Sequence, residues 1–577
     1  MKNIKSLLIV ALLGTSFSSC NDFLTLDPLN DIVLENFWTD KSDVESVMLG
    51  AYSSFESSDC LLRMAVWGEM RSDNIVEGNG TSEDIRQICR ENLLITNSYC
   101  KYDKFYDVIN RANTVLHFAP IVADKDPNFT FQQLQWTEAE AIALRSLCYF
   151  YLIRAFHDVP FVTEPSIDDE GGHMKFYVPQ SPFETVLDSI IGDLERVKDQ
   201  AAPTYQSADA YYNRITKWAI CAMLADMYLW RGQDGDLDKC IAVCEEVTAR
   251  KKYDYEKLLR EEGKHCTVSE FNGYPLISDA PENNPGNSYN EIFGIGNSFE
   301  SIFELPYTQE VSNPFVGTYY QNNNSSDVGQ IKAYEKIGAT YGHKGDVFEQ
   351  TNDVRRHVLK KYSSSYAICK YAYDDMDLMF NTGAIAFSRA TVRNQTQAGW
   401  IVYRYSEVLL FEAEAYILKA KRLNPSGADS LAISDEVRSY KDKAFELIDA
   451  VNKRSIVADN SNATGSVPLR SVTGYNASIS VPDLENILFN ERRRELMFEG
   501  KRWFDLVRLA VRSHNQNALI SVVSEKHDAA TLSAVKIKLK NPYAMYFPLH
   551  KDEVRNSQKV LKQNPAYSEE EEIEQAH

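Results

Sequence analysis

Basic residues are outnumbered in this 577-residue chain: 61 Lys and Arg stand against 82 Asp and Glu, for a net charge of −21 at neutral pH. No basic stripe interrupts the acidic background, so the phosphate-neutralising surface that nucleic-acid binding requires is missing and no nucleic acid is expected as a partner. Histidine is sparse too, ten residues scattered singly. No His-Glu-x-x-His helix, Gly-x-x-x-x-Gly-Lys loop, Gly-x-Ser-x-Gly elbow or Gly-x-Gly-x-x-Gly fingerprint occurs, which argues against the enzyme classes that carry them. A carboxylate pair leaves no such motif and is weighed separately below. Beyond the first twenty residues, no apolar run approaches the roughly 20 residues that span a bilayer. What the chain does have is a globular balance of 44% apolar and 25% charged residues, with 32 Tyr, 27 Phe and 7 Trp.

The first residues, "MKNIKSLLIVALLGTSFSSC", place Lys2 and Lys5 before an apolar run from Leu7 to Leu13 and the small residues Gly14, Ser16, Ser18 and Ser19. That is the pattern of a secretory signal over residues 1–19. A cysteine directly after it resembles the bacterial lipoprotein signal, in which the thiol is acylated after cleavage, so Cys20 is the expected lipid anchor. Nine cysteines follow it, and an odd number in an exported chain argues against a complete disulfide framework. Cys148, Cys221, Cys240 and Cys244 fall in helical patterns as small apolar fillers. No metal or cofactor is expected. Cys240 and Cys244 lack the further ligands of a zinc site, and the alternating Asp234, Asp236 and Asp238 lack a calcium-loop glycine, Lys239 standing in its place.

Helical periodicity dominates the rest. Residues 136–157 carry it after an apparent capping box of Thr137 and Glu140, and Asp158-Val159-Pro160 stops the helix. Residues 101–118 form another helix, while 214–230 and 236–250 make a hairpin around Arg231-Gly232-Gln233-Asp234-Gly235. Trp218, Ala222, Leu224, Ala225 and Tyr228 give that hairpin a tetratricopeptide character. Similar pairs recur at 403–420 with 440–452 and at 483–499 with 501–511. The expected fold is therefore mostly α, a tetratricopeptide-like helical repeat scaffold broken by long loop-rich insertions. The longest insertion, from about 252 to 400, contains "ESIFELPY", a candidate strand; the acidic tail "SEEEEIEQAH" reads as a solvated end.

Five ordered segments resemble the SusD/RagB family of outer-membrane nutrient-binding lipoproteins: "NDFLTLDPLN", "AEAIALRSLCYFYLIRAFHDVPFVTEP", "YRYSEVLLFEAEAY", "NERRRELMFEGKRWFDLVR" and "YFPLHKDEVRNSQKVLKQNPAY". Two departures are His157 and Ala566, where the family commonly has glycine; histidine tolerates left-handed backbone better than most residues. The resemblance implies a SusD-like N-terminal part over 20–260 and a C-terminal SusD/RagB part over 261–577. It implies a surface lipoprotein, anchored in the outer membrane through its lipid, that captures oligosaccharides and delivers them to a SusC-like TonB-dependent transporter without catalysis. A peptide ligand, as for RagB-like proteins, and a glycan hydrolase with an unrecognised carboxylate pair are the alternatives; a purely structural scaffold is a third.

Glu491 and Glu495 are the obvious pair for such a hydrolase. On a helix they share a face with Leu484, Leu488 and Phe498 and so point inward. Arg492, Arg493, Arg494 and Arg502 lie close in sequence; a neighbouring cation lowers a carboxyl pKa whereas a general acid needs it raised, so an ion network is expected. Most aromatics are core, Phe105, Tyr106, Tyr149, Tyr151, Trp218 and Trp503 by their helical spacing. Two non-helical stretches remain, "WGEMRSDN" with the residues before the 101–118 helix, and "NPFVGTYYQNNN". In relatives of this kind equivalent loops form a shallow arc for glycan or peptide, which assigns ligand contacts to Arg71, Asp73, Asn74, Tyr99, Tyr102, Phe315, Tyr319 and Tyr320, with Trp67 and Asn97 as weaker candidates.

Overall fold

In the computed structural model of the chain, residues 37–568 are described, apart from 167–176, 262–266, 280–286, 309, 312, 321–327, 382–383, 393–396, 425–433, 458–467 and 477. The signal, Cys20, Cys266, residues 322–324 and most of the acidic tail lie outside them. The main helices are α1 (Lys41–Phe55), α2 (Ser58–Glu69), α3 (Glu83–Cys89), α4 (Asp103–Lys125), α5 (Phe131–Phe156), α6 (Phe183–Val197), α7 (Ala208–Asn213), α8 (Lys217–Arg231), α9 (Asp236–Glu261), α10 (Tyr405–Leu423), α11 (Asp435–Ser455), α12 (Val481–Leu496) and α13 (Arg502–Ser513).

The order of packing is set by which helices are buried all round. Every residue of α5 from Ala139 to Phe156 is buried, as is every residue of α8 from Ala219 to Trp230. Such helices belong inside, with amphipathic ones around them. Accordingly α1 packs on α4, α4 on α5, α5 on α6, α6 on α8, α8 on α9, α9 on α10 and α10 on α11. This succession of packed helices is the helical-repeat frame expected from the sequence. The hairpin α8–α9 turns on Gly232, whose φ of 63° suits a residue without Cβ. Asp236, far from holding a cation, receives two hydrogen bonds from the Arg231 guanidinium, at 2.9 and 2.6 Å.

Helix α5 begins earlier than the sequence pattern implies. Its capping box is Thr130 with Gln133, each side chain accepting the other's backbone N–H. Thr137 instead donates to the Gln133 carbonyl one turn back, and Glu140 is buried, accepting from the Tyr52 hydroxyl at 2.7 Å and from Arg214. Two polar residues in capping-box spacing thus sit mid-helix because one bonds backwards and the other is neutralised across the core. The helix ends at His157 with φ 71°, a positive φ as anticipated there, though its ψ of −90° lies outside the left-handed helical region.

The long insertion supplies most of the strands. Ser301–Leu305, inside the stretch read as a strand, pairs antiparallel with Trp400–Arg404, and both are buried throughout. A four-stranded sheet joins Ile75–Glu77, Ile331–Ala333, Ser365–Ile368 and Leu359–Tyr362 in that order. All eight described cysteines after Cys20 are buried, and none is joined to another in a disulfide.

Inside, α12 carries a dense ion network. Glu491 meets Arg355 at 2.6 Å and Arg494 at 2.8 Å. Glu495 meets Arg404 at 2.5 Å, Arg355 at 3.0 Å and also Arg454. Glu499 binds Arg404 at 2.8 Å and Lys370 at 2.5 Å. An ion network was expected, but three of the four neighbouring arginines serve other acids: Arg492 pairs with Asp505, and Arg493 and Arg502 with Asp73. Sequence neighbours on a helix diverge by about 100° per residue, so partners come from other elements. Burial pushes the Glu495 carboxyl up, but Arg454, Arg404 and Arg355 together hold it well below the usual range, and Glu491 is held low by Arg355 and Arg494 against the same burial.

Two predictions follow from these buried charges. Glu495→Gln removes one negative charge from among three guanidinium groups and is expected to cost about 3–5 kcal/mol in denaturant-unfolding midpoint experiments; an unchanged midpoint would contradict the network's structural weight. Glu412 on α10 is the opposite case, 4% exposed, with Oε2 unpartnered. Burial first, then the charge of Glu245, raises its carboxyl to about 8. The folded chain therefore holds a proton there that the unfolded chain has released, so stability falls as pH rises from about 4.5 to about 8. Glu412→Gln is expected to flatten that slope and to stabilise the protein by about 2 kcal/mol at pH 8, read by thermal unfolding across pH.

Candidate functional site

Two segments more than two hundred residues apart meet at one surface. On the first, Asn97 caps the short turn Ser98–Cys100: its Oδ1 accepts from the Tyr99 N–H at 3.1 Å while its Nδ2 donates to the Asp84 carbonyl at 2.9 Å and to Gln87. The Trp67 indole N–H donates to the Tyr99 carbonyl at 2.9 Å. Trp67 and Asn97 therefore hold Tyr99 from behind. On the second, Asn313 caps the short helix Pro314–Tyr319, accepting from Phe315 N–H and Val316 N–H and donating to the Ala398 carbonyl. Proline at the first helical position after an asparagine cap is a favoured start. Phe315 sits edge-on to Trp400, with ring centres 5.4 Å apart, and the Tyr320 hydroxyl donates to the Phe498 carbonyl at 2.6 Å.

The segments touch through the Tyr99 and Tyr319 hydroxyls, 2.5 Å apart, in side chains that are 8% and 6% exposed overall. Burial, with the nearby Asp84 carboxylate adding to it, raises both phenols, so both stay neutral. When one donates to the other, the second keeps a hydrogen for a further acceptor. Beside them the backbone is stitched by Gly78 N–H to the Gln330 carbonyl and Asn79 N–H to the Gly329 carbonyl, both 2.9 Å, and by Thr81 Oγ1 donating to the Gln330 carbonyl at 2.7 Å. Gly329 lies so close to Tyr320 that a Cβ there would stand 1.9 Å from its carbonyl oxygen. Ser82 and Ser98 are exposed alongside, with Asp84 and Gln87 half-buried. Asp84 accepts from Ser98 through both its N–H and its Oγ.

The other residues singled out in the sequence are placed differently. Arg71 is buried, engaged with Glu91 and the Ala544 and Met545 carbonyls, its guanidinium 4.1 Å above the Trp503 ring. Asp73 is clasped by Arg493 and Arg502, which against burial hold its carboxyl far below the ordinary range. Asn74 donates to Glu69 and accepts from Arg493. The polar groups of Arg71, Asp73 and Asn74 are thus engaged within the protein, and Phe315 and Tyr320 are fully buried. Tyr102 faces elsewhere, lining a cavity of about 360 Å3 with Tyr106, Asn110, Asn113 and Glu553. Its hydroxyl has no partner among the described residues, and burial raises the Glu553 carboxyl. Gly329, Gln330, Thr81 and Asp84 went unnoticed in the sequence; only the Asn313-Pro314 cap had a readable signal.

The arrangement offers ring edges, hydroxyls and amides on a shallow rim. No group of three or more His, Cys, Asp or Glu among the described residues is placed to hold a metal ion, and no helix among them is long and apolar enough to cross a membrane.

Comparison with known proteins agrees with this picture. A SusD family model matches residues 378–567, and a second, described as starch-binding associating with outer membrane, matches residues 22–229. SusD-like protein P38 of Formosa agariphila is 25% identical over 525 residues, covering 88% of this chain and 92% of its own. Among solved structures, a SusD superfamily protein from Bacteroides vulgatus superposes with a TM-score of 0.62 at 18% identity, covering 92% of this chain and 99% of its own. A laminarin-binding SusD-like protein superposes with a TM-score of 0.53 at 19% identity, covering 92% and 100%. With the helical frame, the two family matches and these relatives in agreement along almost its whole length, the chain belongs to the SusD/RagB family.

Proposed function

We propose that the protein is a non-catalytic, lipid-anchored lipoprotein of the outer-membrane surface, one that captures oligosaccharides and delivers them to a SusC-like TonB-dependent transporter. The observation that carries this reading is the joining of Tyr99 and Tyr319, largely buried beside the exposed Ser82 and Ser98 and held on a helical frame from behind by Trp67, Asn97 and Phe315. Sugar rings present apolar C–H faces and hydroxyls, which phenol edges, serines and amides answer together. Of the candidate contacts, Tyr99 and Tyr319 meet the ligand. Phe315, Tyr320, Arg71, Asp73 and Asn74 keep the face in place, and Tyr102 opens on the neighbouring cavity. The laminarin bound by one structural relative supports a glycan over a peptide. The family description supports the outer membrane, and Cys20 supplies the anchor.

A hydrolytic role for Glu491 and Glu495 is disfavoured because both are enclosed by guanidinium groups that keep them ionised, while a general acid must be protonated near neutral pH. Purified protein beginning after Cys20 is expected to bind polysaccharide in a glycan screen and to leave its chain length unchanged; released sugar would overturn the reading. The double variant Tyr99→Phe with Tyr319→Phe, which deletes the hydroxyls and keeps the rings, is expected to weaken the bound glycan roughly tenfold, about 1.4 kcal/mol. Unaltered affinity would remove these tyrosines from the site. The full lipoprotein, solubilised from membranes, is expected to co-purify with a β-barrel partner, and its recovery only as a free soluble protein counts against delivery.

A further inference from the structure

A larger cavity lies away from this rim, enclosed by α7, the C-terminal half of α9 and the loop 291–299. It has a volume of about 520 Å3, within the roughly 300–1,000 Å3 of small-molecule sites. None of its lining residues belongs to the Tyr99–Tyr319 face. Aromatic rings make up much of the wall: Tyr205, Tyr211, Tyr212 and Phe299, with Tyr211 and Tyr212 edge-to-face at 4.9 Å. Ile295 stands at the rim with 75% of its surface exposed, an isoleucine that packs on little of the protein.

The wall is built, not improvised. Lys251, buried on α9, donates to the Phe299 carbonyl at 2.5 Å and the Ser301 carbonyl at 3.0 Å, tying the loop to the helix. Buried Glu304 accepts from the Asn297 N–H at 3.0 Å and from Ser301 Oγ at 2.8 Å. Gly296, at φ 79°, passes so near this carboxylate that a Cβ there would stand 2.6 Å from Oε1. The loop enters through a π-helical turn, Asn290–Ile295, a rare geometry that recurs at functional sites. Together with the Asn297 amide, which donates to Asp209 on α7 at 3.2 Å, these contacts fix the loop against the cavity.

The charges on the wall decide the ligand class. Arg250, Lys251 and Lys257 are matched by Asp254, Glu261 and Glu291, and Arg250 already pairs with Asp254 at 3.0 Å. An ionic ligand would meet as many like charges as opposite ones. A purely apolar ligand would leave the amides and charged groups without partners on closing out water. A neutral polyol with apolar C–H faces satisfies both the rings and the polar groups. From this geometry we infer that the cavity between α7, α9 and the 291–299 loop is a second binding site, for a short stretch of neutral oligosaccharide.

The inference rests on the glycan-binding reading above and is tested so that the two fail separately. The mature soluble chain is titrated calorimetrically with neutral gluco-, manno- and galacto-hexasaccharides, and with an oligogalacturonate as the charged comparison. A bound neutral hexasaccharide is expected to occupy two sites per chain. Tyr212→Ala, and Ile295→Glu at the exposed rim where folding is not at stake, are each expected to abolish one of them. The Tyr99→Phe with Tyr319→Phe variant is expected to weaken the other. One site in the parent chain, untouched by either cavity variant, overturns the second site and leaves the glycan reading standing. Preference of the cavity for oligogalacturonate overturns the neutral-ligand assignment, and no binding by any neutral glycan overturns both readings.

Discussion

Glu495 is held by arginines from three separate elements, and the rest of the molecule is registered on that contact. Arg404 ends the strand Trp400–Arg404, Arg454 ends α11, and Arg355 lies in the turn before the strand Leu359–Tyr362. Removing charges from water is costly and is offset only when geometry and hydrogen bonds are nearly complete. The carboxylates of α12 therefore act as a lock: wrongly placed elements would leave a bare charge in the interior. The lock extends to the candidate site. Just beyond Glu499 the Gly500 N–H donates to Glu69, and the Phe498 carbonyl in the same turn accepts from Tyr320, which adjoins Tyr319.

The frame was largely legible in the sequence because it is written in period and punctuation. The helical period of residues 136–157 and the Gly232 turn between α8 and α9 need no long-range knowledge. The start of α5 was misread for a physical reason: Thr137 and Glu140 have capping-box spacing, but in the fold one bonds back along the helix and the other meets Tyr52 and Arg214. Local patterns cannot see such partners. The candidate site was half legible. The two segments are identifiable by their aromatics and do meet at Tyr99 and Tyr319, but their sequence reads as non-helical, whereas Pro314–Tyr319 is a short helix and Trp67 to Glu69 end α2. What was hidden is that Arg71, Asp73 and Asn74, polar and in a loop, pair with Glu91, Arg493, Arg502 and Glu69 instead of facing outward.

That division explains how a shared frame can serve different ligands. Helices and the ion lock determine where loops begin and end, whereas the loops determine what is recognised. The rim is made of a short turn, a two-turn helix and a strand edge, each fastened by a cap or a glycine contact, so its side chains can change without disturbing α5, α8 or α12.

The eight buried thiols carry a chemical consequence. Burial pushes Cys60, Cys89 and Cys221 up to about 12, so almost none of the nucleophilic thiolate exists at ambient pH. With no crosslink among them, this part of the protein matures without help from an oxidant. It is equally indifferent to whether its surroundings are oxidising or reducing.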